Sequence, residues 1–377
     1  MKKKLDIIVV SRADLYPLLP IINKKSDNIS YRVISTGSLL TKNQIESCKD
    51  INTKYKKIFI SGEKDGEFDI INNISNGIKK FSKFYKNKKP EAILVLGDRF
   101  ELLVVAIISI IYGIPIAHIH GGEITEGSFD NTIRHCISKV ATLHFVSNLI
   151  YKKRLIQMGE QPKNIFISGA PGLDLVNTGL KNKNYLEKKY KFNFSKKNVL
   201  FTLHPETITK NHREYILNFI EFLNKNEEYF VIFTSSNSDT DYKFINNAIH
   251  SFVEKNKNRS LFIKNLGKDD YKSMIKFIDC VIGNSSSGII EVPTFKKPTI
   301  NIGERQKGRI FAESVINIKG DYVSLEKSII KSFSKKFQKK IRYVKNPYFK
   351  KNSSKTINNV LKGYNFKNNL KKFYDLY

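Results

Sequence analysis

Short runs of aliphatic and β-branched residues return along this chain at intervals long enough for a helix. LDIIVV (5–10), KIFI (57–60), AILVL (92–96) and IPIAHI (114–119) form a first series. VLFTL (199–203), YFVIFT (229–234), LFI (261–263), VI (281–282) and TINI (299–302) form a second. Strand alternating with helix builds a parallel sheet covered on both faces, because parallel neighbours need a crossover and the crossover is usually a helix. Between the series the pattern lapses in NTGLKNKNYLEKKYKFNFSKK (177–197), read as the linker region. The expected fold is therefore α/β, with two doubly wound, Rossmann-like domains at 1–175 and 196–350. Residues 351–377 are expected to form a C-terminal helix that packs back toward the first domain.

Composition narrows the partners. With 377 residues, 41% of them apolar and 12% aromatic, the chain can fill two cores. The longest apolar candidate, Leu102–Ile119, is interrupted by Ser109, Tyr112, Gly113 and Pro115 and carries His118, so a spanning helix of about 20 residues is not expected. The apolar run of the start, MKKKLDIIVVSRAD, is too short for a signal-peptide core, and a cytoplasmic protein is the reading. Cys48, Cys136 and Cys280 share no metal-ligand spacing and are expected to be reduced, mostly buried thiols. Lys plus Arg exceed Asp plus Glu by 65 to 35, a net charge of +30. That excess is spread as Lys beside Asn (KNKK, KNKN, KKNSSK) without a recognised nucleic-acid motif, so it reads as a solvated lysine surface. Neither nucleic acid nor membrane is an expected partner.

In open parallel sheets ligands sit beyond the carboxyl ends of strands. The residues there are polar: Ser11-Arg12-Ala13-Asp14, Gly97-Asp98-Arg99, His120-Gly121-Gly122-Glu123, His204-Pro205-Glu206-Thr207, Ser235-Ser236-Asn237 and Gly283-Asn284-Ser285-Ser286-Ser287-Gly288. Such a concentration at the same end of two sheets describes a cleft.

In GNSSSGIIEV, Gly283 permits a turn, Asn284 or Ser285 can cap, and GIIEV reads as a helix start. Free amides and serine hydroxyls at a helix N-terminus can hold a diphosphate without metal, and Glu291 could accept both hydroxyls of a ribose. An ordinary N-cap with a surface glutamate fits the spacing equally. The segment is neither a Walker loop nor GxGxxG. Asp98 beside Arg99 reads either as a buried ion pair or as part of a site. His118 and His120 fall on one side if the strand runs that far, yet no third ligand shares their spacing, and no metal is expected. Acid and base groups around a double glycine suit proton transfer.

Taken together, LGDRFE, HIHGGEITEG, FDNTIRHCISKVATLHF, GAPGLD, LHPET, SSNSDT, GNSSSGIIEVP and NIGERQKGR resemble the UDP-N-acetylglucosamine 2-epimerase family, in its hydrolysing branch that feeds sialic acid and related nonulosonic acids. The resemblance runs from SRAD to NPYFK. It implies the two-lobed fold shared with many nucleotide-sugar glycosyltransferases, the active site between the lobes and the nucleotide in the second. It also implies elimination of UDP from UDP-N-acetylglucosamine to a glycal, then hydration to N-acetylmannosamine, with no cofactor. Dimers or tetramers are usual in such a family, so a homo-oligomer is expected.

Carried over motif by motif, the resemblance makes Asp98, His120, Asp130 and His204 the catalytic candidates. Arg12, Arg99, Glu123, Ser285, Ser286, Glu291 and Arg305 become the substrate-binding ones. Glu123, and Arg134 with His135, fit supporting the loop as well as direct chemistry. Two departures matter. Many members carry Glu where His120 stands, which leaves the C2 base open among Asp98, His120 and Asp130; the first loop, usually Gly-Thr-Arg-Ala-Glu, is SRAD. The histidine, GGEITEG and GAPGLD also look like the sub-branch acting on UDP-N,N'-diacetylbacillosamine on the way to legionaminic acid, the alternative substrate. A glycosyltransferase of the same fold and a non-catalytic nucleotide-sugar sensor are the rival classes; a sensor would need none of Asp98, Asp130 and His204.

Overall fold

A computed structural model describes the chain except residues 1, 25–27, 42–43, 61–65, 195–196, 207–210, 237–241, 368–370 and 377. Two compact units emerge: Met1–Glu123 with Asp130–Leu175 and Tyr348–Tyr377, and Ile124–Phe129 with Val176–Pro347.

The first unit holds strands β1 (Lys3–Val9), β2 (Ile29–Ser35), β3 (Lys54–Lys57), β4 (Ala92–Leu96), β5 (Ile116–Ile119), β6 (Leu143–Val146) and β7 (Ile165–Ile167). They form one sheet in the order 3-2-1-4-5-6-7, with parallel pairing throughout. Alternate side chains of β1 serve different cores: Leu5, Ile7 and Val9 face one apolar cluster, Ile8 and Val10 the other. A strand buried on both faces in this way tends to read as a continuous apolar run, as β4 does; in β1 the run is broken by the buried Asp6, which Arg32 pairs at 2.7 Å.

The second unit repeats the plan with β8 (Lys197–Thr202), β9 (Tyr229–Thr234), β10 (Ser260–Ile263), β11 (Cys280–Gly283), β12 (Thr299–Ile302) and β13 (Val315–Ile318), in the parallel order 10-9-8-11-12-13. Val199, Phe201 and Leu203 pack on one face and Leu200 on the other. Phe201 stacks on Phe219 with centroids 4.3 Å apart. In each sheet the winding reverses at one place, between β1 and β4 and between β8 and β11, and the loops leaving those strands diverge to open a crevice.

Several elements differ from the sequence reading. The strand placed at 57–60 is Lys54–Lys57, KYKK, at the edge of the sheet beside β2 among the described residues; an edge strand tolerates such charge because its outer side stays solvated. The presumed linker contains a helix, Lys183–Tyr190, capped by Asn182, whose side chain accepts from Tyr185 N–H at 2.8 Å. Leu186 on that helix is fully buried, and Phe192 beyond it stacks on Phe230, so a few apolar contacts fix a segment that is otherwise lysine and asparagine. Of the cysteines only Cys280 is buried; Cys136 lies exposed on the helix Asp130–Val140, whose inward positions are Arg134, Ile137 and Ser138.

The helix Ser353–Gly363 belongs to the first unit, where Ile357 and Leu361 enter its core. Asp174 accepts from Ser353 N–H at 3.0 Å and Ser354 N–H at 2.7 Å at its start. Among the described residues no helix is long and apolar enough to cross a membrane.

Candidate active site

In the first unit the functional side chains stand beyond β1, β4 and β5. Ser11 caps the helix Arg12–Ile22 in a reciprocal capping box with Asp14, which places Arg12 in its first turn. Arg12 N–H donates to Gln44 Oε1 at 2.8 Å. Burial pushes the Asp14 carboxyl up, opposed by Arg99 and reinforced by Asp130. Asp14, Arg99 and Asp130 therefore share one electrostatic neighbourhood.

Asp98 pairs not with its neighbour Arg99 but with Arg134, which is 2% exposed. Arg99 turns instead toward Glu101, Nε to Oε2 3.4 Å, at a carboxylate 1% exposed whose burial pushes its pKa up. Adjacent residues leaving a strand diverge, so this divergence of partners follows from backbone direction.

β5 ends at Ile119, and His120 turns into the left-handed region with φ 66°, so His118 and His120 do not lie on one strand face. His118 is fully buried. Its Nε2 lies 2.7 Å from Gly97 O, and a carbonyl can only accept, so Nε2 carries the hydrogen and Nδ1 accepts from Ser138 Oγ at 3.2 Å. Burial pushes its pKa down to about 3. Both nitrogens are used, and His118 is a structural post beneath Gly97 and Asp98. His120 Nδ1 meets Glu123 Oε1 at 2.7 Å. Among the described residues no group of three or more His, Cys, Asp or Glu side chains is arranged to hold a metal.

In the second unit His204 follows β8 and is held from the end of β11. His204 N–H donates to Asn284 Oδ1 at 2.7 Å, and Asn284 Nδ2 donates to His204 O at 2.9 Å. Gly283 makes this approach possible: at φ 136° a Cβ would stand 1.8 Å from Thr202 O. Burial, then the Arg305 guanidinium, push the His204 imidazole well below its usual range, so it is neutral at pH 7. Arg305 donates to Asn284 O at 3.3 Å and Gln306 Nε2 donates to the same oxygen at 2.9 Å.

The Arg305 turn is pinned from beneath by Glu206. Its Oε1 accepts from the amides of Glu304 at 2.8 Å and Arg305 at 3.1 Å. The segment Ile124–Phe129 covers the same turn: Glu126 N–H donates to Lys307 O at 3.0 Å, and Gly127 lies so close that a Cβ would meet Arg305 Cα at 2.8 Å.

Ser285 is the N-cap of the helix Ser286–Ile290 but makes no side-chain cap bond, so its hydroxyl is not spent there. The helix is shorter than GIIEV suggested and passes into a 3-10 turn at Val292–Phe295, because Pro293 lacks the amide an α-helix would use. Ser287 Oγ lies 2.6 Å from Tyr271 OH and donates to Glu291 Oε2 at 3.3 Å. Burial holds the Glu291 carboxyl above the usual range. Thr207 and, in SSNSDT, Asn237 and all that follows it lie outside the described residues.

The family model described as UDP-N-acetylglucosamine 2-epimerase matches residues 22–362. The chain belongs to that family. Within it, the GDP/UDP-N,N'-diacetylbacillosamine 2-epimerase (hydrolyzing) of Campylobacter jejuni is 36% identical over 344 residues, 89% of each chain. The polysialic acid biosynthesis protein P7 of Escherichia coli is 37% identical over 314 residues, 81% of this chain and 79% of P7. The fold is that of the UDP-N-acetylglucosamine 2-epimerase of Neisseria meningitidis, crystallised with UDP-N-acetylglucosamine: TM-score 0.82 at 17% identity, over 95% of this chain and 99% of that one.

In this epimerase-family chain the sequence candidates fall into local groups. Asp98, Arg99, His120, Glu123 and Asp130 stand with Arg12 in the first unit, and His204, Ser285, Ser286, Glu291 and Arg305 in the second. Sequence reasoning gave no role to Asp14, Glu101, Tyr271 or Gln306, nor to Glu206 as a brace, and offered Asn284 only as a helix cap, whereas Ser285 is the N-cap and Asn284 holds His204. The signal for Glu206 was present in HPE, a carboxylate just past a strand end, but its partners lie about a hundred residues away.

Proposed function

We propose that this epimerase-family member is a hydrolysing 2-epimerase that converts a UDP-linked 2-acetamido sugar and water to UDP and the free manno-configured sugar. The observation that carries the reading is the His204 loop: a neutral, buried imidazole beside Arg305, on a backbone locked to the residue that precedes Ser285 and Ser286. An arginine, two serine hydroxyls and unpaired helix amides can neutralise a departing diphosphate.

In the first stage a base takes the C2 proton. The C–H electron pair becomes the C1–C2 double bond, and the C1–O pair leaves with UDP. In the second, water oxygen adds to C1 and C2 regains a proton on the opposite face. Asp98, His120 and Asp130 supply the proton-transfer groups near C2, with Arg99 and Arg12 holding the substrate, and Glu291 takes the ribose hydroxyls. Release of the sugar by water is supported by the Campylobacter relative, whose description specifies hydrolysis.

For the sugar itself, we favour the 2,4-diacetamido-6-deoxy substrate, supported by the Campylobacter relative and by a second one from Legionella pneumophila, UDP-N,N'-diacetylbacillosamine 2-epimerase (hydrolyzing), 32% identical over 273 residues. UDP-N-acetylglucosamine is the second reading, supported by the Neisseria UDP-N-acetylglucosamine 2-epimerase at 28% identity over 327 residues. Incubation with each sugar nucleotide in deuterated water tests both. A liberated manno sugar carrying deuterium at C2, with stoichiometric UDP, supports the reading; a UDP-linked product, or no turnover of either, overturns it.

A further inference from the structure

We propose that Glu123 is the positioning residue of a His–Glu dyad that presents His120 Nε2 as the base for the C2 proton. This rests on the hydrolysing-epimerase reading and resolves which of its three candidate groups is the base. A carboxylate only accepts hydrogen bonds, and Ser147 Oγ donates to the same Glu123 Oε1 at 3.4 Å that His120 Nδ1 approaches at 2.7 Å. Nδ1 therefore carries the ring hydrogen, and the lone pair resides on Nε2.

Glu123 is 1% exposed at its side chain and His120 12%, so the carboxylate is enclosed while the ring reaches the surface of the loop. The loop holds the pair in place. His120 N–H donates to Phe145 O at 3.0 Å, and Arg154 fastens Gly122 O at 2.6 Å. Gly122 cannot become larger, because a Cβ would meet Tyr151 O at 2.7 Å. His120 itself sits at φ 66°, a conformation uncommon outside glycine that the surroundings must enforce, and such outliers concentrate at functional sites.

The alternatives are otherwise engaged. Asp98 is paired with Arg134, and Asp130 opens a helix within the Asp14–Arg99 neighbourhood. In the elimination, Nε2 takes the C2 proton and its lone pair becomes the N–H bond. The C–H pair forms the C1–C2 double bond, and the C1–O pair departs on UDP. The imidazolium that results is stabilised by the Glu123 carboxylate across Nδ1–H, so the carboxylate acts without touching the sugar.

The test joins a ligand-free and a catalytic readout. In the 15N-labelled chain, with His120 assigned by its loss in His120→Gln, the long-range proton–nitrogen spectrum near pH 8 should show the Nδ1–H tautomer, and Glu123→Gln should shift that equilibrium. Kinetically, Glu123→Gln should lower kcat at least tenfold with KM changed less than threefold, and Glu123→Asp should recover part of the loss. An Nε2–H tautomer in the unaltered chain overturns the proposal, as does Glu123→Gln with undiminished kcat. If the unaltered chain turns over neither sugar nucleotide, the functional reading fails, and the tautomer still reports on the dyad.

Discussion

The side-chain amide of Asn284 and the backbone of His204 bond each other in both directions, at 2.7 and 2.9 Å, although 80 residues separate them. Asn284 is fully buried, so water cannot replace either bond. Asn284→Ala should remove both of these buried bonds to the His204 backbone, at about 1–3 kcal/mol each, and also weaken UDP binding by loosening the loop. Asn284→Asp keeps the acceptor and loses the donor, so it should retain His204 N–H but not its carbonyl. Denaturant midpoints and calorimetric titration with UDP check this; a midpoint within about 0.5 kcal/mol of the unaltered chain would sink it.

Gly127 touches the backbone of Glu304 and Arg305, with a hypothetical Cβ 2.6 Å from Glu304 O. Gly127→Ala must push that turn or move the 124–129 segment off it. Because the segment is half exposed and its removal uncovers little core, we predict a small change in melting temperature with at least tenfold weaker UDP binding. Equal UDP affinity would show that the turn absorbs a methyl group without moving Arg305.

Legibility in the sequence followed burial. AILVL and YFVIFT announced β4 and β9 because central strands are covered on both faces, whereas KYKK and VINI lie at sheet edges where polar side chains are tolerated. β6, LHFV, hid its strand character behind His144, a buried imidazole matched to Glu160 at 3.0 Å. The loops beyond the strands were legible as polar clusters, but their pairings were not. Asp98 with Arg134 and Glu206 with the Arg305 turn arise from crossovers, and spacing along the chain carries no record of them.

The Asp98–Arg134 pair separates structure from chemistry. Asp98→Asn keeps the shape and one acceptor for Arg134 while removing the charge, so the fold should survive. With His120 as the base that removes the C2 proton, Asp98 is left to serve the return of a proton to C2, so formation of the free manno sugar should fall at least a hundredfold in single-turnover assays. Arg134→Met should instead cost stability, about 3 kcal/mol or less, since the carboxylate left behind is 22% exposed and partly screened by water. Undiminished formation of the free sugar by Asp98→Asn would remove Asp98 from the reaction.

His118 makes a prediction about acid stability whose sign is fixed by its burial. The folded-state pKa is pushed down to about 3, against roughly 6.5 for an unperturbed histidine. Between those values the unfolded chain binds the proton and the folded chain does not, so stability falls as pH drops from about 6.5 toward 3, by up to roughly 1.4 kcal/mol per pH unit. Above pH 6.5 the residue contributes no slope. His144 and His204 are depressed in the same direction and add to the acid limb, but they are common to both proteins in a comparison with His118→Gln. Glutamine can still donate to Gly97 O and accept from Ser138, and it does not titrate. Urea midpoints measured from pH 7 to pH 4.5 should therefore converge, the unaltered chain losing its advantage as the solution is acidified. Parallel curves would mean that His118 takes up its proton as readily in the folded state as in the unfolded one.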